Sequence, residues 1–212
     1  MKKLLFRNFF AILLAMLWMG VKAQTTTFTY TATEKISRFE EYEYFAGSTG
    51  VVSHDYNAET EEGVVVYEGE VTELQNYCLQ FTYSLKSIVI PEGVTTIRYQ
   101  AFYGCTNMTT ISLPKTLTTV TGNAFDSCSS LKDGKLIVDD LAWWCSISFG
   151  GVYDNPLFYA KHLYSDEETE ITNLVIPEGV TNIPNYAFYR CEGITSVSFP
   201  TTLKSIGTGA FS

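Results

Sequence analysis

From Leu85 to Pro91 the chain reads LKSIVIP, with Ile88 and Ile90 on one parity and Ser87 and Val89 on the other. A period of two predicts a short strand with the isoleucines inward. Pro91-Glu92-Gly93 then predicts a bend. VTTI (Val94 to Ile97) predicts a second short strand, and YQAFYGC sets Ala101-Phe102 and Cys105 three to four apart, the spacing of one inward-facing helical turn.

Displaced by 23 residues, the pattern returns. Val71, Val94 and Leu117 fall in register, as do Leu74, Ile97 and Val120; Leu79, Phe102 and Phe125; Leu85, Met108 and Leu131; and Ile90, Leu113 and Leu136. PEGVTTIRYQAFYGC (Pro91 to Cys105) recurs as PEGVTNIPNYAFYRC (Pro177 to Cys191), and the pattern runs on to Ala210-Phe211. Self-similarity at this period marks a solenoid. One such turn has nothing to bury its apolar side against, so neighbours must stack on it, with strands about 4.8 Å apart. The predicted fold is therefore a β-rich solenoid, α/β in character, with short strands and one short helical turn per repeat.

The cysteines follow the same register. Cys105, Cys128 and Cys191 share one repeat position, filled by Thr82 in another turn, and Cys78 takes the small-residue slot of Ala101, Ala124, Ala187 and Ala210. They read as small buried hydrophobes. A bridge between stacked Cys105 and Cys128 is the alternative, against which the odd total of five counts. Zinc lacks both a Cys-x-x-Cys and a supply of histidines, His54 and His162 being the two present. No cofactor or metal is expected.

The recurring IPEGVTTI, AFYGC and LTTISLP segments resemble the BspA-like leucine-rich repeat family of bacterial surface proteins, over roughly residues 65–212. The resemblance implies a right-handed parallel superhelix, a threonine- and tyrosine-rich β-type cap over residues 24–64, and a secreted or surface-exposed protein that adheres to host protein or glycan. It supplies no catalytic residues.

Register is lost at about 139–172. This stretch is aromatic, with Trp143, Trp144, Phe149, Tyr153, Phe158, Tyr159 and Tyr164. Two readings stand: a binding patch in which Trp143, Trp144, Tyr153 and Tyr159 offer ring faces to a partner, or a plug filling the gap of a broken turn. An altered turn must still bury its inward side, which favours the plug. The resemblance adds that such arrays reuse a similar Trp and Asn-Pro-Leu element. SDEETE (Ser165 to Glu170) lacks the spacing of a calcium loop and reads as a solvated hairpin tip. The other candidate ligand surface is the outward strand face, with Val89, Ser112, Val175 and Ser198 among its small, uncharged residues.

At the N-terminus, basic Met1-Lys2-Lys3 and Arg7 precede 13 apolar residues, Phe9 to Val21, and then Val21-Lys22-Ala23. This predicts a secretory signal peptide over residues 1–23, cut after Ala23. The run falls short of the roughly 20 residues needed to span a bilayer. Losing Lys2, Lys3, Arg7 and Lys22 from 14 basic residues leaves 10 against 23 acidic, a net charge of −13 that disfavours nucleic acid and anionic membranes.

Neither histidine sits in a recognisable catalytic motif, and Gly47-Ser48-Thr49-Gly50 lacks the nucleophile elbow. The expectation is a secreted, non-enzymatic module that binds a host extracellular protein or glycan. A self-assembling or spacer array is the alternative, with self-association through an uncapped C-terminal end where Phe211 fills a core slot. An uncharacterised hydrolase comes third.

Overall fold

The computed structural model describes residues 24–166 and 168–212. The expected signal peptide, residues 1–23, lies outside the described residues. Three long antiparallel strands open the fold: β1 (Thr25–Ala32), β2 (Phe45–Asn57) and β3 (Glu62–Leu74), with β3 paired to both others. Alternation along β1 sends Phe28, Tyr30 and Ala32 inward. There Phe28 meets Phe39, Phe45 and Tyr67 with ring centroids 5.4–6.1 Å apart, and Tyr67 donates its hydroxyl to the Phe39 carbonyl at 2.6 Å. The cluster lets Tyr67 be fully buried with its polar tip satisfied.

Past the cap the chain coils. It forms β4 (Leu85–Val89), β5 (Thr96–Ile97), β6 (Thr110–Ser112), β7 (Thr119–Val120), β8 (Leu136–Ile137), β9 (Ser148–Phe149) and β10 (Leu163–Tyr164). It ends with β11 (Asn173–Val175), β12 (Asn182–Ile183), β13 (Ser196–Ser198) and β14 (Ser205–Ile206). All pairings among these are parallel: β4 with β6, β5 with β7, β7 with β9, β8 with β10, β11 with β13 and β12 with β14. Within each regular stretch a turn thus adds one strand to each of two ladders, although β8 with β10, β11 with β13 and β12 with β14 are separate two-stranded sheets.

The cap closes both ladders at one end. β1 lies antiparallel on β4, and the last two residues of β3 pair in parallel with β5. Cap and solenoid therefore share β3, while β2 pairs with β3 alone. The 23-residue register would place Val66 beside Val89. In the structure Thr29 of β1 pairs with both Val89 and Val64, because β1 intervenes between β3 and β4.

Inside, the repeat positions stack. Phe102 and Phe125 lie with centroids 5.2 Å apart and planes 9° apart, and Phe188 and Phe211 repeat this at 5.3 Å and 12°. The thiols of Cys105 and Cys128 donate to the carbonyls of Leu79 and Phe102, each at 3.1 Å. All five cysteines are free thiols. The Glu of Pro-Glu-Gly also acts across turns: the Glu92 carboxylate accepts from the amides of Lys115 and Thr116, and Glu178 accepts from that of Thr201.

The expected helical turn is a different object. In each regular repeat the segment carries two left-handed residues four apart: Tyr77 and Phe81, Gln100 and Gly104, Asn123 and Ser127, Tyr186 and Arg190. A right-handed helix cannot hold φ near +60°, so the inward spacing of Ala101, Phe102 and Cys105 arises from consecutive tight turns. The unwound backbone is free to pair with its neighbours. The amides of Tyr77, Leu79 and Phe81 donate to the carbonyls of Tyr99, Ala101 and Tyr103; Gln100, Phe102 and Gly104 donate to Gly122, Ala124 and Asp126; and Tyr186, Phe188 and Arg190 donate to Thr208, Ala210 and Ser212. A helix would have spent these amides internally.

Candidate functional site

The irregular stretch has to join two stacks whose bends each need a partner. The front stack ends on a bend, residues 123–127, that wants acceptors for its amides. Those acceptors are the Asp154 carboxylate, 2.8 Å from the Ala124 amide and also facing that of Asn123; the Tyr153 carbonyl, 2.9 Å from the Phe125 amide; and the Tyr159 hydroxyl, 2.8 Å from the Ser127 amide. The rear stack begins on a bend that wants donors for its carbonyls. Trp144 donates its indole nitrogen to Ala187 at 2.9 Å, and Asn155 donates its side-chain amide to Tyr186 at 2.8 Å and to Ala187 at 3.0 Å.

Two short helices hold these groups. In α1 (Leu141–Trp144) Asp140 caps the first turn by accepting from the Trp143 amide at 3.0 Å. Pro156 precedes α2 (Leu157–Ala160), and Asn155 Oδ1 accepts from the Leu157 amide at 2.9 Å. Asp154 is almost fully buried. Burial raises the pKa of its carboxyl, and the amides of Ala124, Asn123, Gly151 and Gly122 oppose that rise.

This geometry corrects part of the expected aromatic patch. Trp144 is fully buried with its one donor spent, so it has no face to offer a ligand. Tyr159 is half-buried and its hydroxyl is tied between Ser127 and the Asp126 carboxylate, with burial pushing its pKa up to about 12. Trp143 is half-buried and donates to the Leu117 carbonyl at 3.2 Å. Tyr153 is half-buried with its ring 4.7 Å from that of Phe158.

The strand face is split in two. Val89 pairs with Ser112 between β4 and β6, and Val175 pairs with Ser198 between β11 and β13, with β8 and β10 standing between those pairs in the chain. Val89 is 48 % and Val175 54 % exposed. In β8 and β10 the outward pair is Ile137 with Tyr164, and Lys135 lies over the Tyr164 ring at 5.1 Å.

Part-exposed rings lie elsewhere, along the bends. Tyr77 and Tyr99 meet edge to face at 5.4 Å, and Phe81 and Tyr103 do so at 5.2 Å. Phe81 remains 48 % exposed. Farther along, Phe158 gathers Tyr153, Tyr159 and Tyr189 at 4.7, 4.8 and 6.0 Å. Small residues make room for the row: a Cβ on Gly104 would fall 2.6 Å from the Phe81 ring, one on Gly122 2.6 Å from that of Tyr99, and one on Gly209 2.9 Å from that of Tyr186. The sequence signal was present in part, since tyrosines follow the inward Phe102 and Phe188 but not Phe125. The spacing does not say that they point outward.

The two histidines are held by structural contacts. His54 Nε2 lies 2.7 Å from the Tyr30 hydroxyl, and its Nδ1 is buried 3.3 Å from Glu40, without a hydrogen bond. Burial lowers the pKa of its ring. His162 Nδ1 pairs with Glu170 at 2.6 Å. The Cys145 thiol is pushed up to about 12 by burial, the reverse of what an attacking thiol needs. In the acidic hairpin, Asp166 accepts from the amides of Glu168 and Thr169, which closes the turn on itself.

Comparison with known structures places three bacterial proteins nearby. A leucine-rich repeat protein from Bacteroides ovatus shares 24% identity over 76% of this chain and 35% of its own, with a TM-score of 0.44. A leucine rich cell surface protein from Faecalibacterium prausnitzii shares 21% over 76% and 43%, at 0.42. A T. pallidum leucine rich repeat protein shares 21% over 80% and 86%, at 0.41. The chain thus spans less than half the length of the first two. No curated protein matches it. Residues 64–140 and 161–212 match the family model described as BspA type Leucine rich repeat region, in six copies, and the gap at 141–160 runs from the first residue of α1 to the last of α2. As that match takes in more than half of the residues, the chain belongs to the BspA-type leucine-rich repeat family.

Proposed function

We propose that the protein is a secreted or surface-held, non-enzymatic binding module for a host extracellular protein or glycan. The observation that carries the reading is the row of part-exposed rings on the bends, Tyr77, Phe81, Tyr99 and Tyr103 in front and Tyr153, Phe158, Tyr186 and Tyr189 behind. Aromatic side chains bring large contact area at small conformational cost and dominate interface energetics. Val89 with Ser112 and Val175 with Ser198 supply a flatter surface suited to weak, repeated contact. The contacts of His54 and His162 and the raised Cys145 thiol support the non-enzymatic part.

Solid-phase binding of the purified protein to extracellular-matrix proteins and a glycan panel tests this. We expect at least one ligand whose signal falls about tenfold or more when Tyr77, Phe81 and Tyr99 are together changed to Ser, the loss typical of a hot-spot cluster. Silence across the panel, or a signal indifferent to those changes, removes the reading.

A further inference from the structure

We propose that Arg190 and the rings around Phe158 form a site for a pyranoside carrying one carboxylate, a uronic-acid-type sugar. The inference rests on the binding-module reading above and narrows it to one place and one ligand chemistry. The Arg190 guanidinium lies over the Phe158 ring, 4.8 Å from its centroid. Phe158 is itself held by Tyr153 and Tyr159, the latter pinned through its hydroxyl to Asp126 and Ser127. Arg190 is left-handed at φ 58°, and its amide is bound to the Ser212 carbonyl at 2.8 Å. The Arg190 backbone and the Phe158 ring are thus held before any ligand arrives, which lowers part of the ordering cost of binding.

The chemistry follows from what these groups leave unused. Arg190 is exposed, and among the described residues no carboxylate lies within ion-pair distance of it. The nearest acid in sequence, Glu192, is hydrogen-bonded to Lys161 at 2.7 Å and feels the Arg190 charge only through space. A guanidinium offers parallel donors matched to a carboxylate. The half-buried Tyr189 ring lies nearly parallel to that of Phe158, at 5° and 6.0 Å, and offers an apolar surface beside the guanidinium that covers Phe158. A pyranose lays a C–H face on such rings while its carboxylate reaches Arg190. An acidic peptide side chain would use the arginine and leave the rings idle. The overall excess of acids disfavours a polyanion, so a single carboxylate fits better.

Titration of the purified protein with methyl glucuronoside, its carboxyl-reduced counterpart methyl glucoside, and N-acetylglutamate amide, followed by NMR, tests the assignment. The glucuronoside should bind at least about tenfold tighter than either control, the advantage of a charge-assisted bidentate contact made together with a ring contact. Shifts should map to residues 153–159 and 186–192. Arg190→Gln should lower glucuronoside affinity to that of the glucoside, and Arg190→Lys, which keeps the charge and loses the fork, should recover only part of it. Unchanged thermal melts for both variants would show that the fold is intact. Equal affinity for the three ligands, absence of binding, or glucuronoside binding indifferent to Arg190 overturns the proposal. If that happens while the wider panel still yields a ligand sensitive to Tyr77, Phe81 and Tyr99, the module reading survives alone.

Discussion

The indole nitrogen of Trp144 donates to the carbonyl of Ala187, 43 residues away, at 2.9 Å. It stands where a regular repeat would supply a backbone amide. Asp154 does the mirror-image task for the preceding bend, accepting from the Asn123 amide where a regular repeat would supply a carbonyl of the next turn. The irregular stretch is a splice with acceptors toward the front and donors toward the rear.

Trp144→Phe keeps a ring in the core and removes the donor, leaving the Ala187 carbonyl with Asn155 alone. It should cost about 1–3 kcal/mol in urea unfolding, the penalty for a buried hydrogen bond lost on one side. Trp143→Phe, at a half-buried site, should cost less. Equal effects would argue that the Trp144 donor has no special role. Asp154→Asn keeps an acceptor oxygen and should be milder than Asp154→Ala.

Gly104 tests the fit of rings to the next turn. Gly104→Ala places a Cβ 2.6 Å from the Phe81 ring at φ +73°, whereas Gly179→Ala meets nothing within 4 Å at φ +94°. Both carry backbone strain of about 1 kcal/mol, and the first adds a clash. Thermal unfolding should rank Gly104→Ala as the more harmful. In the double variant with Phe81→Ala the clash part should disappear, as a non-additive coupling.

Stability should respond to acid through His54. Burial holds its pKa below the ordinary 6.5. The unfolded chain then binds the proton more readily than the folded one, so this contribution is complete above pH 6.5 and is lost as pH falls through the depressed folded value. His54→Gln should flatten the decline in melts between pH 7 and 5. An unchanged slope would point to other groups.

At the alkaline end the sign reverses. Burial pushes the Cys105 thiol up to about 12, from an ordinary 9.0. Unfolded thiols ionise first, so stability is full below pH 9 and declines as pH rises toward the folded value. In the native protein Cys105 and Cys128 should resist iodoacetamide until denaturant is added. Rapid native alkylation would mean that the column opens locally.

The regular solenoid was largely legible in the sequence. Phe102 and Phe125 stack because they are 23 residues apart, and Cys105, Cys128 and Thr82 occupy one slot for the same reason. The candidate site was legible only in part. The sequence marks Tyr153, Tyr159 and Trp144 alike as aromatic and favours a plug over a binding patch, but only the packing decides that the Trp144 ring is fully buried. The role of Arg190 is not legible there, because its partner Phe158 is 32 positions away and outside the repeat register.

What the amino-acid order determined alone is the period: identical short segments cannot hide their apolar sides singly, so any stable arrangement stacks them. What tertiary structure decided is everything that depends on who meets whom between unlike segments. The insertion of β1 between β3 and β4, the bends that pair outward in place of coiling into helices, and the exchange of side-chain for backbone partners across the splice belong to that class. Hydrogen bonds are directional and short-ranged, so a donor's identity can be read from one residue, while its acceptor exists only after the chain has brought a distant carbonyl within 3 Å.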